Sequence, residues 1–164
     1  MTLDHIDKAA LRDAAVAELK RAVATLTAAA ATTVAGATHA EAKPENDKDT
    51  RAVEQSYLAR GQAMRVAETG AELSMLRAMP LVAFGEGSAV AVSAVVELDV
   101  DGDSQLFFLV PAGGGRQLTI EGVVVQLLSL RSPLGRALIG RFQGDAFELR
   151  VAGHDREYFI ESVR

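Results

Sequence analysis

The sequence predicts an α+β protein in which a long helical hairpin precedes a small antiparallel β-sheet domain carrying one short helix. Three observations predict it. The first third is proline-free and alanine-rich with apolar residues at alternating steps of three and four; a polar, proline-containing segment divides two such stretches; and beyond Pro80 the pattern changes to short valine-rich runs separated by glycine. At 164 residues the chain has room for one ordinary domain or two small ones.

The first helix is expected over residues 3–36, where Ala, Leu, Glu, Lys and Arg dominate. Val16, Leu19, Val23, Leu26, Ala30 and Thr33 form a narrow seam along it. The second is expected over residues 47–79, with Val53, Tyr57, Met64, Ala67, Ala71 and Met75 as its facing stripe, and ends at Pro80, which cannot continue a helix. The connection, about residues 38–47, contains Pro44 and is polar. Helices of similar length joined by a short connection pack antiparallel. At ~1.5 Å per residue they make a hairpin of roughly 45–50 Å, longer than a small domain is wide, so the connection has to project. Alanine buries little area per turn, so the far end of the hairpin is expected to pack less firmly than its base, leaving a mobile tip.

Domain boundaries follow at 1–79 for the hairpin and 80–164 for the sheet domain. Five strands are expected, at 88–100, 105–110, 123–130, 146–151 and 157–163. Asp101-Gly102-Asp103 and Gly153-His154-Asp155 are read as turns. Ser132 to Gly140 reads as a short helix, with Ser as N-cap, Pro at the first helical position and Gly after the last turn. Gly113-Gly114-Gly115 lacks the Lys-Ser/Thr of a phosphate loop and is read as a flexible turn.

Composition excludes several functions. A net charge of −5 argues against a nucleic-acid binder that works by neutralising phosphates over a wide surface. No segment approaches the ~20 apolar residues of a membrane helix, and the absence of cysteine suits a reducing compartment, so a cytoplasmic protein is expected. His5, His39 and His154 are scattered, and neither serine nor histidine sits in a nucleophile motif.

Ser132-Pro133-Leu134-Gly135-Arg136-Ala137-Leu138-Ile139-Gly140, then Gly144-Asp145 and Arg156-Glu157-Tyr158-Phe159-Ile160, resembles the Gre family of bacterial transcription elongation factors. That family has Ser-Pro-Leu-Gly-Arg-Ala-Leu-Leu-Gly, Gly-Asp and Tyr-Glu-Ile in the same order. Glu45-Asn46 and the run from Gln55 to Gln62 fall where it has its hairpin tip and second helix. The resemblance implies an antiparallel coiled coil and an FKBP-like C-terminal domain. It further implies that the domain grips the rim of the RNA polymerase secondary channel while the hairpin carries acidic residues to the active site. There they help to hold a second Mg²⁺, so that the polymerase cleaves its own backtracked RNA near the nascent 3′ end. On this reading the chain is not itself an enzyme and acts as a monomer, with no membrane partner and no stably bound cofactor of its own.

The residues implied are Glu41, Glu45 and Asp47 as carboxylates assisting catalysis, with Glu45 and Glu41 sharing the metal, and Arg131, Ser132, Pro133 and Leu134 as polymerase contacts. Two-metal phosphodiester hydrolysis needs hard oxygen ligands, which carboxylates supply. The same acids near the start of the second helix also suit capping and the helix dipole, an ordinary structural role. Ala42 stands where cleavage-competent members carry an acid, Lys43 and Pro44 where they usually have Leu and Ser, and Arg131 where Asp, Asn or Ser is frequent. The alternative is therefore a non-cleaving relative that modulates or inhibits the polymerase from the same channel. Prolyl isomerase activity would follow from the fold alone, and fold does not carry function.

Overall fold

A computed structural model describes residues 6–41 and 50–164, the side chains of 36–41 excepted. Helix α1 spans Lys8–Glu41 and α2 spans Thr50–Ala78, packed along one another. Asp7 starts α1, its Oδ1 accepting from the amides of Ala9 (2.8 Å) and Ala10 (3.3 Å). The helix continues through residues 38–41, which the sequence reading assigned to the connection. No helix breaker stands there before Pro44, so nothing stops it.

Six strands follow: β1 Val95–Val100, β2 Asp103–Val110, β3 Gln117–Ile120, β4 Val123–Ser129, β5 Ala146–Val151 and β6 His154–Val163, with helix α3 (Pro133–Leu138) between β4 and β5. The sheet order is β3-β4-β2-β1-β6-β5. Every pairing is antiparallel except β2 with β4, which is parallel, so the sheet is mixed rather than wholly antiparallel as expected.

Three expectations change here. The valine-rich stretch from residue 88 becomes a strand only at Val95, because Ser93 takes a positive φ of 67° and Ala94 closes a turn onto Ala91. Strand β3 was missing from the expected five; it forms a hairpin with β4 through Glu121 and Gly122, both at positive φ. The last turn is Ala152-Gly153 rather than Gly153 to Asp155, so β6 begins at His154. The Asp101-Gly102 turn forms where expected.

Period-two alternation sends β1 and β2 side chains to two cores. Val95, Phe108 and Val110 join Leu118, Val125 and Leu127 against the base of the hairpin, where Leu11, Ala15, Leu19, Leu73, Leu76 and Met79 are buried. Val96, Leu98, Val100, Phe107 and Leu109 pack on the other face with Leu138 of α3, Tyr158 and Ile160. The hairpin therefore sits on one face and α3 belongs to the other.

Between Leu19 on α1 and Leu73 on α2, going out along the hairpin and back, no described residue is buried. In this far part α1 presents Val23, Leu26, Ala30 and Thr33 half-buried, as its stripe predicts. Helix α2 does not follow its predicted stripe. Its half-buried side is Ala52, Gln55, Ala59, Gln62, Val66 and Thr69, leading to Leu73 and Leu76, while Val53, Tyr57, Met64, Ala67, Ala71 and Met75 are exposed. The seam thus pairs small and polar side chains, and the Oε1 atoms of Gln55 and Gln62 are buried in it without a hydrogen-bond partner.

The linker from Met79 to Phe84 is strapped on both sides. Lys8 Nζ donates to the Val82 carbonyl (2.6 Å) and lies 4.4 Å above the Phe84 ring; Arg12 donates to the Met79 carbonyl (3.4 Å); and the Val82 amide donates to Oγ of buried Ser93 (3.0 Å). Burial pushes the Lys8 ammonium down from 10.5 to about 8. The unfolded chain therefore binds more protons than the folded one between these values. The cost of keeping Lys8 charged is fully present below pH 8 and fades as pH rises toward 10.5. Urea denaturation should show wild type gaining stability relative to Lys8→Met between pH 7 and pH 10; a difference independent of pH would contradict this placement of Lys8.

Candidate functional site

Two regions were implicated by sequence, and they differ in what the structure says of them. Glu45 and Asp47 lie outside the described residues. Glu41 is the last residue of α1, with its side chain also outside them. Among the described residues no three His, Asp or Glu side chains gather as a metal site.

The segment from Ser129 to Phe142 is described throughout. Ser132 caps α3: its Oγ accepts from the Gly135 amide (3.0 Å), and both its hydroxyl (2.7 Å) and its amide (3.0 Å) donate to the Ser129 carbonyl. Pro133 occupies the first turn, where its missing N–H costs nothing. Gly135 is buried so close to the preceding loop that an added Cβ would stand 2.1 Å from the Ser129 carbonyl oxygen. Leu138 is wholly buried, and Leu134 packs half-buried on the same core. The chain then turns at Gly140, whose amide donates to the Val90 carbonyl (2.9 Å), and Arg141 lies 4.4 Å over the ring of Phe147.

Most of the motif is thus accounted for by local structure. Of the four candidate contact residues, Ser132 is engaged as the cap and Leu134 leans inward, while Arg131 and Pro133 face solvent. Arg136, Ile139 (43% exposed) and Phe142 (46% exposed) face solvent along the same segment. Ile139 and Phe142 are not among the contact residues named from sequence: Ile139 reads only as part of the short-helix motif, and Phe142, between two elements, carries no local signal. Three apolar side chains, Pro133, Ile139 and Phe142, and two arginines, Arg131 and Arg136, on a rigid loop can anchor a protein partner, and none has the chemistry of a catalyst.

The glycine triplet ties this loop to the hairpin. A Cβ on Gly114 would stand 2.6 Å from the Ser129 amide nitrogen, and one on Gly113 would stand 2.9 Å from Leu19 Cδ1. The expected flexible turn is instead a wedge between the base of α1 and the loop that holds the capping serine.

Comparison with known proteins gives this architecture its family. Over 127 residues the chain is 32% identical to transcription elongation factor GreA of Alkalilimnicola ehrlichii, covering 73% of this chain and 72% of that one. It is 31% identical over 101 residues to GreA of Pseudomonas aeruginosa, 61% of each chain. With GreA of Cereibacter sphaeroides it shares 50% identity over 38 residues, so it spans about a quarter (25%) of that relative's length. No family model matches the chain. Among solved structures, the transcription factor Gfh1 aligns over 92% of this chain and 93% of its own at 19% identity and a TM-score of 0.39. GreA factor homolog 1 of Thermus thermophilus aligns over 92% and 95% at 16% identity and a TM-score of 0.37. The chain belongs to the Gre family of transcription elongation factors. Among the described residues no helix is long and apolar enough to cross a membrane.

Substitutions in the loop should rank by mechanism. Ser132→Ala, which removes the cap, should cost about 1 kcal/mol in denaturant unfolding. Gly135→Ala, which drives a methyl into a backbone carbonyl, should cost more, about 2–3 kcal/mol. Equal or inverted costs would show that the loop is not packed as described.

Proposed function

We propose that this chain docks on a bacterial RNA polymerase through its sheet domain and extends the hairpin into the secondary channel, where tip carboxylates promote cleavage of backtracked RNA. The observation that supports this most is that, among the described residues, the hairpin is seated at one end: buried residues stop at Leu19 and Leu73, and the described part beyond them, on a helix roughly 50 Å long, is uncovered. A surface helix of a compact domain would bury one face along its whole length. Arg131, Pro133, Arg136, Ile139 and Phe142 form the docking segment in this proposal, held rigid by the Ser132 cap and Gly135.

At the tip, Glu45 is the main carboxylate, with Glu41 or Asp47 as its companion. When bound in the polymerase centre, a second Mg²⁺ supplies a Lewis acid and a lowered pKa for its water. The part of this chain is to present hard, negatively charged oxygen there and to help orient the water. The bonds made and broken belong to the polymerase, so the chain is an accessory factor and holds no cofactor of its own.

The rival reading, a modulator that occupies the channel without cleavage, is favoured by Ala42, which leaves the tip one acid short of the cleavage-competent pattern. Adding the protein with Mg²⁺ to stalled, backtracked elongation complexes separates the two. Rapid RNA shortening that falls at least about tenfold with Glu45→Ala is the result expected. Polymerase binding that slows elongation without shortening the RNA would establish the modulator instead, and an absence of binding would overturn both.

A further inference from the structure

Helix α2 carries two stripes on opposite sides. The inner one, Ala52, Gln55, Ala59, Gln62, Val66, Thr69, Leu73 and Leu76, follows α1 in steps of three and four and buries two unpartnered glutamine oxygens. The outer one holds four large apolar side chains, with Val53 56%, Tyr57 69%, Met64 58% and Met75 41% exposed. At 100° per residue these fall on one side of the helix together with Arg60, Gly61, Ala67, Glu68 and Ala71. A hairpin helix with a single partner turns its polar face outward. Here the outer face instead carries four large apolar side chains in line, with one cation and one anion among them, which is the pattern of a helix with partners on both sides.

The order of residues on that outer stripe says what the second partner is. Reversed end for end about Met64, the stripe complements itself: Met64 meets Met64, Gly61 meets Ala67, Arg60 meets Glu68, Tyr57 meets Ala71 and Val53 meets Met75. Tyr57, the bulkiest side chain of the stripe, comes level with Ala71, and the stripe's cation, Arg60, comes level with its anion, Glu68. Among the described residues neither Arg60 nor Glu68 takes part in an ion pair. Self-complementarity of one patch is the requirement of an isologous two-fold contact.

We infer that the outer stripe of α2 is a homodimer interface, in which two copies pair their α2 helices antiparallel about a two-fold axis passing between the two Met64 side chains. The stripe from Val53 to Met75 is about 33 Å long. One helix face of that length gives a contact at the small end of protein interfaces, so the pairing is reversible and depends on concentration. Two paired hairpins form a four-helix rod much wider than one. On the polymerase reading above, pairing and channel entry therefore exclude each other, though the interface itself does not depend on that reading.

The chain has no cysteine, so single cysteines report the geometry directly. On mild oxidation Met64→Cys should join two copies efficiently, whereas Val53→Cys should not, because its two copies lie at opposite ends of the contact. In sedimentation velocity, wild type should pass from monomer to dimer with rising concentration. Arg60→Glu and Glu68→Arg should each weaken dimerisation at least about tenfold, and the double variant should restore it to within about threefold of wild type. All these positions are exposed, and circular dichroism confirms that each variant keeps its helix content. A wild type that stays monomeric at millimolar concentration overturns the inference. So does equal cross-linking at residues 53 and 64, which points to a different partner for the stripe, or a charge swap that fails to rescue. None of these measurements involves polymerase, so their failure is distinguishable from failure of the cleavage proposal.

Discussion

The seating of the hairpin base on the sheet is the contact on which the rest of the molecule depends. Leu11, Leu19 and Leu76 are wholly buried against Phe108, Val125 and Leu127. Each such leucine contributes about 1.5–3 kcal/mol by burial. The far part of the hairpin has no comparable source of stability, since none of its described residues is fully buried and its α2 side is mostly alanine and glutamine. A two-helix rod with so thin a seam holds its shape because its base is fixed.

That seat is linked to the loop around Ser132 by contacts that leave little slack. Leu19 rests on Gly113; Gly114 leaves no room for a side chain against Ser129; and the Ser129 carbonyl receives Ser132 while pressing on Gly135. The linker adds a second tie, through Lys8 and Arg12 on α1 and Ser93 in the sheet domain. The direction of the hairpin and the position of the Ser132 loop are therefore set by one block of packed backbone. The proposed function would need such a block, because an error in angle at the base grows with distance along the rod.

Much of this was legible in the sequence. The two helices, the break at Pro80, the Asp101-Gly102 hairpin and the capped helix at Ser132 all carry local signals that tertiary structure did not override. What failed did so for identifiable reasons. The stripe on α2 was assigned to the seam because Val53, Tyr57 and Met64 are more apolar than Gln55 and Gln62, and burial usually follows hydrophobicity; here it does not. Strand β3 is four residues long and follows a glycine run, too little for alternation to register. The roles of Gly113, Gly114 and Gly135 depend on Ser129 and Leu19, which only the fold brings to them. Of the candidate site, the motif was plain in sequence, but its division into residues that hold the loop and residues that face outward was not.

Site-resolved amide hydrogen exchange tests most directly whether the base carries the hairpin. Amides of α1 near Leu11 to Leu19 and of α2 near Leu73 should open only with global unfolding. Those near Leu26 to Thr33 and near Ala52 to Val66 should exchange by local opening, on the order of 100-fold faster or more. Uniform protection along both helices would contradict the account, because the hairpin would then be stable in its own right and its attachment to the sheet incidental.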